Sequence, residues 1–107
     1  MQRGEVWWVN FDPPQGMEIQ KRRPAAILTV NALNRARGTV VVVPLSTSAT
    51  PRPPIVLHLP SVGESAVAVC DQLCAVDKRR FGNKICDLSA RDLAALTEAM
   101  KTVLGLT

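Results

Sequence analysis

The stretch Thr39-Val40-Val41-Val42-Val43-Pro44-Leu45 constrains the fold more than any other part of the chain. β-branched side chains are stiff about χ1 and crowd a helix, whereas the pleated surface of a strand accommodates them. A run that does not alternate with polar residues belongs to a strand covered on both faces. Residues 5–11 (EVWWVNF) form another Val- and aromatic-rich strand, closed by Asp12-Pro13-Pro14. Adjacent strand residues point to opposite faces, so Trp7 and Trp8 are expected to divide, one toward the core and one toward the surface. Residues 17–23 follow Gly16 as a polar loop, and residues 25–30 (AAILTV) are the next strand. Pro24 is expected at that strand's first position, where a missing N–H does little harm.

Residues 31–38 make a polar connection with room for a helical turn, and residues 46–54 (STSATPRPP) hold nothing that sustains a ladder. Residues 55–59 alternate, with Ile55, Leu57 and Leu59 on one face and Val56 and His58 on the other. After a turn at residues 60–65, residues 66–71 and 73–76 read as short strands or one bent strand. Residues 78–83 read as a basic loop, and residues 84–86 as a last short strand. The C-terminal segment is different. Ser89 is suited to cap a helix, with Asp92 three residues on as a weak capping box. Leu93, Leu96, Met100, Val103 and Leu104 then recur at helical spacing, and Gly105 supplies a stop. Strands first and one helix last, with hairpin-length connections, imply an antiparallel sheet covered on one side by the helix, with curling into a small barrel an open option. Without an internal repeat or a linker, residues 1–107 are read as one domain, of which 47% is apolar and able to bury one core.

No apolar run approaches the roughly 20 residues that span a bilayer, and the N-terminus lacks the pattern of a secretory signal, so a cytoplasmic location is expected. Three cysteines, Cys70, Cys74 and Cys86, are an odd count that argues against a disulfide framework. Cys70 and Cys74 are loosely spaced, and the one histidine, His58, lies in an apolar segment. Neither matches the four-ligand spacing of structural zinc. Reduced, mostly buried thiols are expected. The net charge of +4 is clustered at Lys21, Arg22 and Arg23, at Arg35 and Arg37, and at Lys78, Arg79, Arg80 and Lys84. Such clusters bind polyanions or keep a surface solvated, and charge alone does not separate the two.

Most catalytic constellations are absent: there is no Gly-rich phosphate loop and no nucleophile elbow. The nine carboxylates are scattered rather than gathered as a metal-dependent nuclease requires, and one histidine excludes a histidine-pair ribonuclease. Metal-free RNA cleavage is compatible with what remains. It needs a 2′-hydroxyl as internal nucleophile, a cation for the phosphorane and assistance to proton transfer. Arg23, directly before a proline that restricts its backbone, is one candidate, since its planar fork matches a phosphate. A surface cation lying on apolar neighbours is the alternative. Ser46, leaving the valine-rich strand, is the other candidate; a turn-capping hydroxyl is its alternative.

The order Arg3-Gly4-Glu5-Val6-Trp7-Trp8-Val9, Phe11-Asp12-Pro13, Gly16-x-Glu18 and Arg23-Pro24-Ala25 resembles the N-terminal signature of the MazF/PemK/Kid toxins. The similarity continues through Val41-Val42-Val43-Pro44-Leu45-Ser46 and Cys70-Asp71-Gln72 to a helix ending near Leu104-Gly105, so it covers essentially the whole chain. The resemblance implies a small SH3-like or CcdB-like β-barrel with a C-terminal helix, acting as a homodimer without cofactor or metal. It implies a growth-inhibiting endoribonuclease that cleaves single-stranded RNA at short sequences to 2′,3′-cyclic phosphate and 5′-hydroxyl ends, silenced by a cognate antitoxin. By position, the catalytic arginine falls on Arg23 and the catalytic hydroxyl on Ser46. Glu18, Thr47, Asp71 and Gln72 are candidates for supporting the site, and Lys21, Arg22, Arg79 and Arg80 for holding RNA.

Three positions depart from the pattern. Serine stands at position 46 where threonine is commoner, Val69 where some members carry a basic residue, and Met17 where a polar residue is usual. Proton transfer is therefore unassigned. Two other readings share the fold: a toxin that acts by binding protein, as gyrase poisons do, and an RNA-binding member weakened in catalysis. The first needs neither Arg23 nor Ser46.

Overall fold

The valine run becomes the central strand of a branched antiparallel sheet. A computed structural model of the chain describes residues 1–11 and 22–106, and the elements within them are, in order, β1 (Glu5–Asn10), β2 (Arg22–Ile27), α1 (Asn31–Ala36), β3 (Thr39–Ser46), β4 (Val56–His58), β5 (Val67–Val69), β6 (Cys74–Asp77), β7 (Phe81–Asp87) and α2 (Ala90–Leu104). The turn at Asp12-Pro13-Pro14 and the loop with Gly16, Met17, Glu18 and Lys21 lie outside the described residues. The strands run β4-β5-β3-β2-β1-β7, and β6 joins β3 off this path. One edge of β3 pairs with β2. Its other edge is divided, with Val40, Val41 and Val42 facing β6 and Leu45 and Ser46 facing β5. Because two short strands share that edge, the sheet branches and stays open instead of closing as a barrel.

Alternation along β3 serves two cores, which is why the run carries no polar residue. Val40 and Val42 pack with Val9, Ala25, Ile27 and Val76, with Trp7 and Phe81 against them. Val43 and Leu45 face the other way, onto Val6, Ala26, Leu59, Ala68 and the buried stripe of α2, Leu96, Ala99 and Met100. The tryptophans divide as expected: Trp7 meets Phe81 edge to face at 6.1 Å, whereas Trp8 is 38% exposed. All three cysteines are free, Cys70 buried and Cys74 and Cys86 half-buried. Burial pushes the Cys70 thiol up to about 11, with Asp71 adding to the shift, so it stays protonated and unreactive at neutral pH. No helix among the described residues is long and apolar enough to cross a membrane.

Several boundaries differ from the sequence reading. β2 begins at Arg22, so Pro24 is its third residue rather than its first, and residues 28–30 fall beyond it. β4 is shorter than the alternating stretch, at three residues. Asp71 and Gln72 lie on a 3-10 turn, Cys70–Gln72, not on a strand. Lys78–Arg80 is a second 3-10 turn, and β7 runs for seven residues where three were expected. Its polar residues are tolerated because β7 is an edge strand, and two irregularities in its pairing with β1 absorb Gly82, Asn83 and Ile85.

The capping at α2 is more elaborate than a two-residue box. Ser89 Oγ accepts from the Asp92 amide at 3.1 Å. The Asp92 carboxylate does not return to Ser89; it accepts from the Ser61 amide at 2.8 Å and from the Ser61 hydroxyl. That hydroxyl in turn accepts from the Ser89 amide at 3.2 Å. The loop between β4 and β5 is thereby tied to the start of α2. At the other end Gly105 takes a left-handed φ of 69°, which an L side chain would resist.

Glu5 closes the β1–β7 edge. Burial by itself would raise its pKa, but hydrogen bonds from Trp7 Nε1, the Gln2 amide and Lys84 outweigh that and hold it below its ordinary 4.5. A carboxylate with a depressed folded-state pKa contributes stability above its unfolded value and loses it as pH falls through the folded one. Glu5→Gln is expected to cost on the order of 1 kcal/mol in urea unfolding at neutral pH. That gap should close on acidification below 4.5; a gap independent of pH would show that the charge is irrelevant.

Candidate active site

The β2–β3 register pairs Ala25 with Pro44, Ala26 with Val43 and Ile27 with Val42. Carried two residues further, it sets Arg23 opposite Ser46, where both strands end. Both residues line a cavity of about 490 Å³. Side chains directly opposite on an antiparallel pair share a face, so a guanidinium and a hydroxyl converge at one mouth. Arg23 is half-buried and pairs with Val9 in the β1–β2 ladder, while its guanidinium makes no hydrogen bond or ion pair with another described residue. Ser46 Oγ accepts from the Ser48 amide at 3.1 Å and lies 3.3 Å from Ser48 Oγ. The turn therefore occupies a lone pair of Ser46 and fixes the oxygen, while the hydroxyl hydrogen can still be donated. The turn-capping and donor readings of Ser46 coexist.

Three other elements build the walls. The β4–β5 loop brings Val62, Gly63, Ser65 and Ala66, positioned by the buried Leu59, whose amide bonds to Ala66 O at 2.9 Å, and by the Ser61–Asp92 tie. From β1 comes Trp8, and from β7 comes Ile85, 39% exposed. Ile85 is the extra residue where the register steps from Val6↔Cys86 to Trp7↔Lys84, and such a bulge re-aims a side chain. Arg22 lies over the Trp8 ring with its guanidinium carbon 5.6 Å from the centroid. The described lining thus holds two cations, four hydroxyl side chains (the consecutive Ser46, Thr47 and Ser48, and Ser65) and no carboxylate.

The structure brings together Arg22, Arg23, Ser46 and Thr47 of the residues singled out from sequence. Asp71 and Gln72 are exposed on their 3-10 turn and are not among the lining residues. Arg79 is also outside. It forks onto Asp77 at 3.1 and 3.0 Å, and its side-chain and backbone hydrogen bonds hold that carboxylate down at about 2. Arg80 donates to the Asn10 carbonyl at 3.4 Å. Glu18 and Lys21 lie outside the described residues. Sequence reasoning missed Ile85 and the 62–66 wall. No motif marks them, and the bulge that turns Ile85 inward depends on strand pairing.

Residues 2–104 match the family model of the PemK-like, MazF-like toxins of type II toxin–antitoxin systems. The chain is 30% identical over 115 residues to the endoribonuclease MazF9 of Mycobacterium tuberculosis, covering 99% of this chain and 98% of that one. It is 36% identical over 88 residues to the endoribonuclease PemK of Escherichia coli, covering 78% and 66%. Among solved structures, a MazE–MazF crystal structure from Deinococcus radiodurans superposes with a TM-score of 0.86 at 29% identity, covering 100% of this chain and 97% of that one. With a family match over nearly its whole length and the same fold in its relatives, the chain belongs to the PemK-like, MazF-like toxins of type II toxin–antitoxin systems.

Proposed function

We propose that this chain is a metal-independent endoribonuclease that cuts single-stranded RNA at a short sequence, leaving a 2′,3′-cyclic phosphate and a 5′-hydroxyl. That it is an enzyme of the endoribonuclease class follows from the family, whose similar members are endoribonucleases. The single observation that supports the chemistry is the placement of Arg23 across from Ser46 at the mouth of one cavity. In the reaction the 2′-oxygen attacks the neighbouring phosphorus, the bond to the 5′-oxygen breaks, and negative charge accumulates on the non-bridging oxygens. The Arg23 guanidinium neutralises that charge with two parallel N–H donors. Ser46 donates its O–H to a non-bridging oxygen, with Thr47 beside it as a second hydroxyl. Metal ions on such a site would be held by carboxylates, and the described lining carries none.

The proton that leaves the 2′-oxygen and the one that reaches the 5′-oxygen need further groups. No residue is assigned to either step; by position in the family Glu18 belongs to the loop that overhangs the site and supports it, and Lys21 and Arg22 hold flanking phosphates. The protein works as a cytoplasmic homodimer of one-domain chains, with a cognate antitoxin covering the cavity. The MazE–MazF complex of similar fold makes that partner class natural.

Incubation of purified protein with a mixed single-stranded RNA pool in EDTA tests the reading. Cleavage that survives the chelator and yields cyclic-phosphate ends is expected. Cleavage that stops in EDTA and returns with Mg²⁺ overturns metal independence. Intact RNA together with inhibited DNA supercoiling by gyrase would favour the protein-binding reading instead.

A further inference from the structure

The exposed indole of Trp8 has no role in the charge chemistry above, yet it forms a wall of the same cavity. A large aromatic ring left 38% exposed forgoes burial that the core could have supplied. Ile85, equally exposed and set at the bulge, lines the same cavity, so two large apolar side chains are presented to it. The ring face is covered by one flexible group, the Arg22 guanidinium. Room for that group exists because residue 82 has no side chain: a Cβ there would lie 3.2 Å from Arg22 Nη2 and 3.4 Å from Trp8 Cβ. A planar cation stacked on an indole occupies the space a nucleobase would take, and it is also a ligand for the phosphate that such a base carries.

Resting on the RNA-cleaving reading of this cavity, we propose that Trp8 is a stacking subsite for one unpaired nucleobase beside the scissile phosphate. Arg22 covers the ring in the free protein and swings to the backbone phosphate when RNA enters. The subsite takes any flat base and sorts bases by stacking strength rather than by hydrogen-bonded edges. Ile85 supports the rim of the base, and Gly82 leaves space for Arg22 in its resting position.

The test uses the full chain and an oligoribonucleotide centred on its mapped cut. Each base within two nucleotides of the cut is removed in turn, leaving an abasic ribose, and kcat and KM are measured for wild type, Trp8→Phe and Trp8→Leu. With wild type, one abasic position should raise KM roughly tenfold with little change in kcat, the size expected of one base–aromatic stack. Trp8→Leu should raise KM on the intact substrate by a similar factor and be indifferent to that abasic position, while Trp8→Phe keeps most of the effect. Wild-type KM on the intact oligonucleotide in Trp8→Leu overturns the subsite, as does an abasic penalty undiminished in that variant. A loss shared by Trp8→Phe and Trp8→Leu and confined to kcat also overturns it, because it marks a structural role. Failure of the wild-type protein to cut any RNA is a different outcome, which overturns the endoribonuclease reading and the subsite with it.

Discussion

Arg23→Ala is expected to lower kcat on single-stranded RNA by roughly 10²- to 10³-fold, the loss typical of removing one preorganised donor from developing oxyanion charge. The size follows from timing. A phosphodiester carries its charge in the ground state, but the phosphorane carries more, and only an interaction that strengthens there raises kcat. Arg23 is suited to this because no other described residue holds its guanidinium, while the β2–β3 register fixes its backbone opposite Ser46. For the same reason the fold should tolerate the change, and the thermal unfolding midpoint should move by no more than a surface substitution moves it. Arg23→Lys keeps the charge and loses the planar fork, so an intermediate kcat is expected. Equal kcat for wild type and Arg23→Ala, or a loss confined to KM, removes Arg23 from the transition state.

How much of this was readable beforehand depends on whether a feature is local. The valine run announced a strand covered on both faces, and it is the hub of the sheet, because covering both faces is a property of that one strand. The start and stop signals of α2 were equally local: Ser89 caps its first turn and Gly105 takes the left-handed turn at its end. What failed was pairing. A three-residue last strand became seven because β1 offered a partner, and a proline expected at the start of β2 lies inside it. Asp71 was read as a strand carboxylate and sits on an exposed turn, since nothing in Cys70-Asp71-Gln72 marks the bend.

The site divides along the same line. Arg23 and Ser46 were found as residues at strand ends, but their juxtaposition is a matter of register, which two isolated strands do not disclose. Arg79 stands out in the sequence as a basic residue of an RNA-holding cluster; that its guanidinium is forked onto Asp77 is a matter of local folding, which composition cannot show. Ile85 was invisible because the bulge that turns it is defined jointly by two strands.

Asp92→Ala should be the costliest polar substitution outside the cavity, lowering the unfolding free energy by about 2–4 kcal/mol. Asp92 is 6% exposed and accepts from both the amide and the hydroxyl of Ser61. Removing the carboxylate leaves a backbone N–H without its acceptor, forfeits a negative group in the first turn of α2 and opens a small void. Asp92→Asn keeps the shape and one acceptor oxygen, so about half the loss is expected. The consequence reaches the cavity, because Ser61 belongs to the loop that carries Val62 and Gly63 to its wall. A loosened loop should raise KM for RNA several-fold in Asp92→Ala while kcat, which the proposed mechanism places on Arg23 and Ser46, changes little. Urea unfolding read beside steady-state cleavage separates the two effects. Stability within about 0.5 kcal/mol of wild type would show that the tie between Ser61 and Asp92 is dispensable. A fall in kcat with KM unchanged would instead mean that the start of α2 acts on the reacting groups directly.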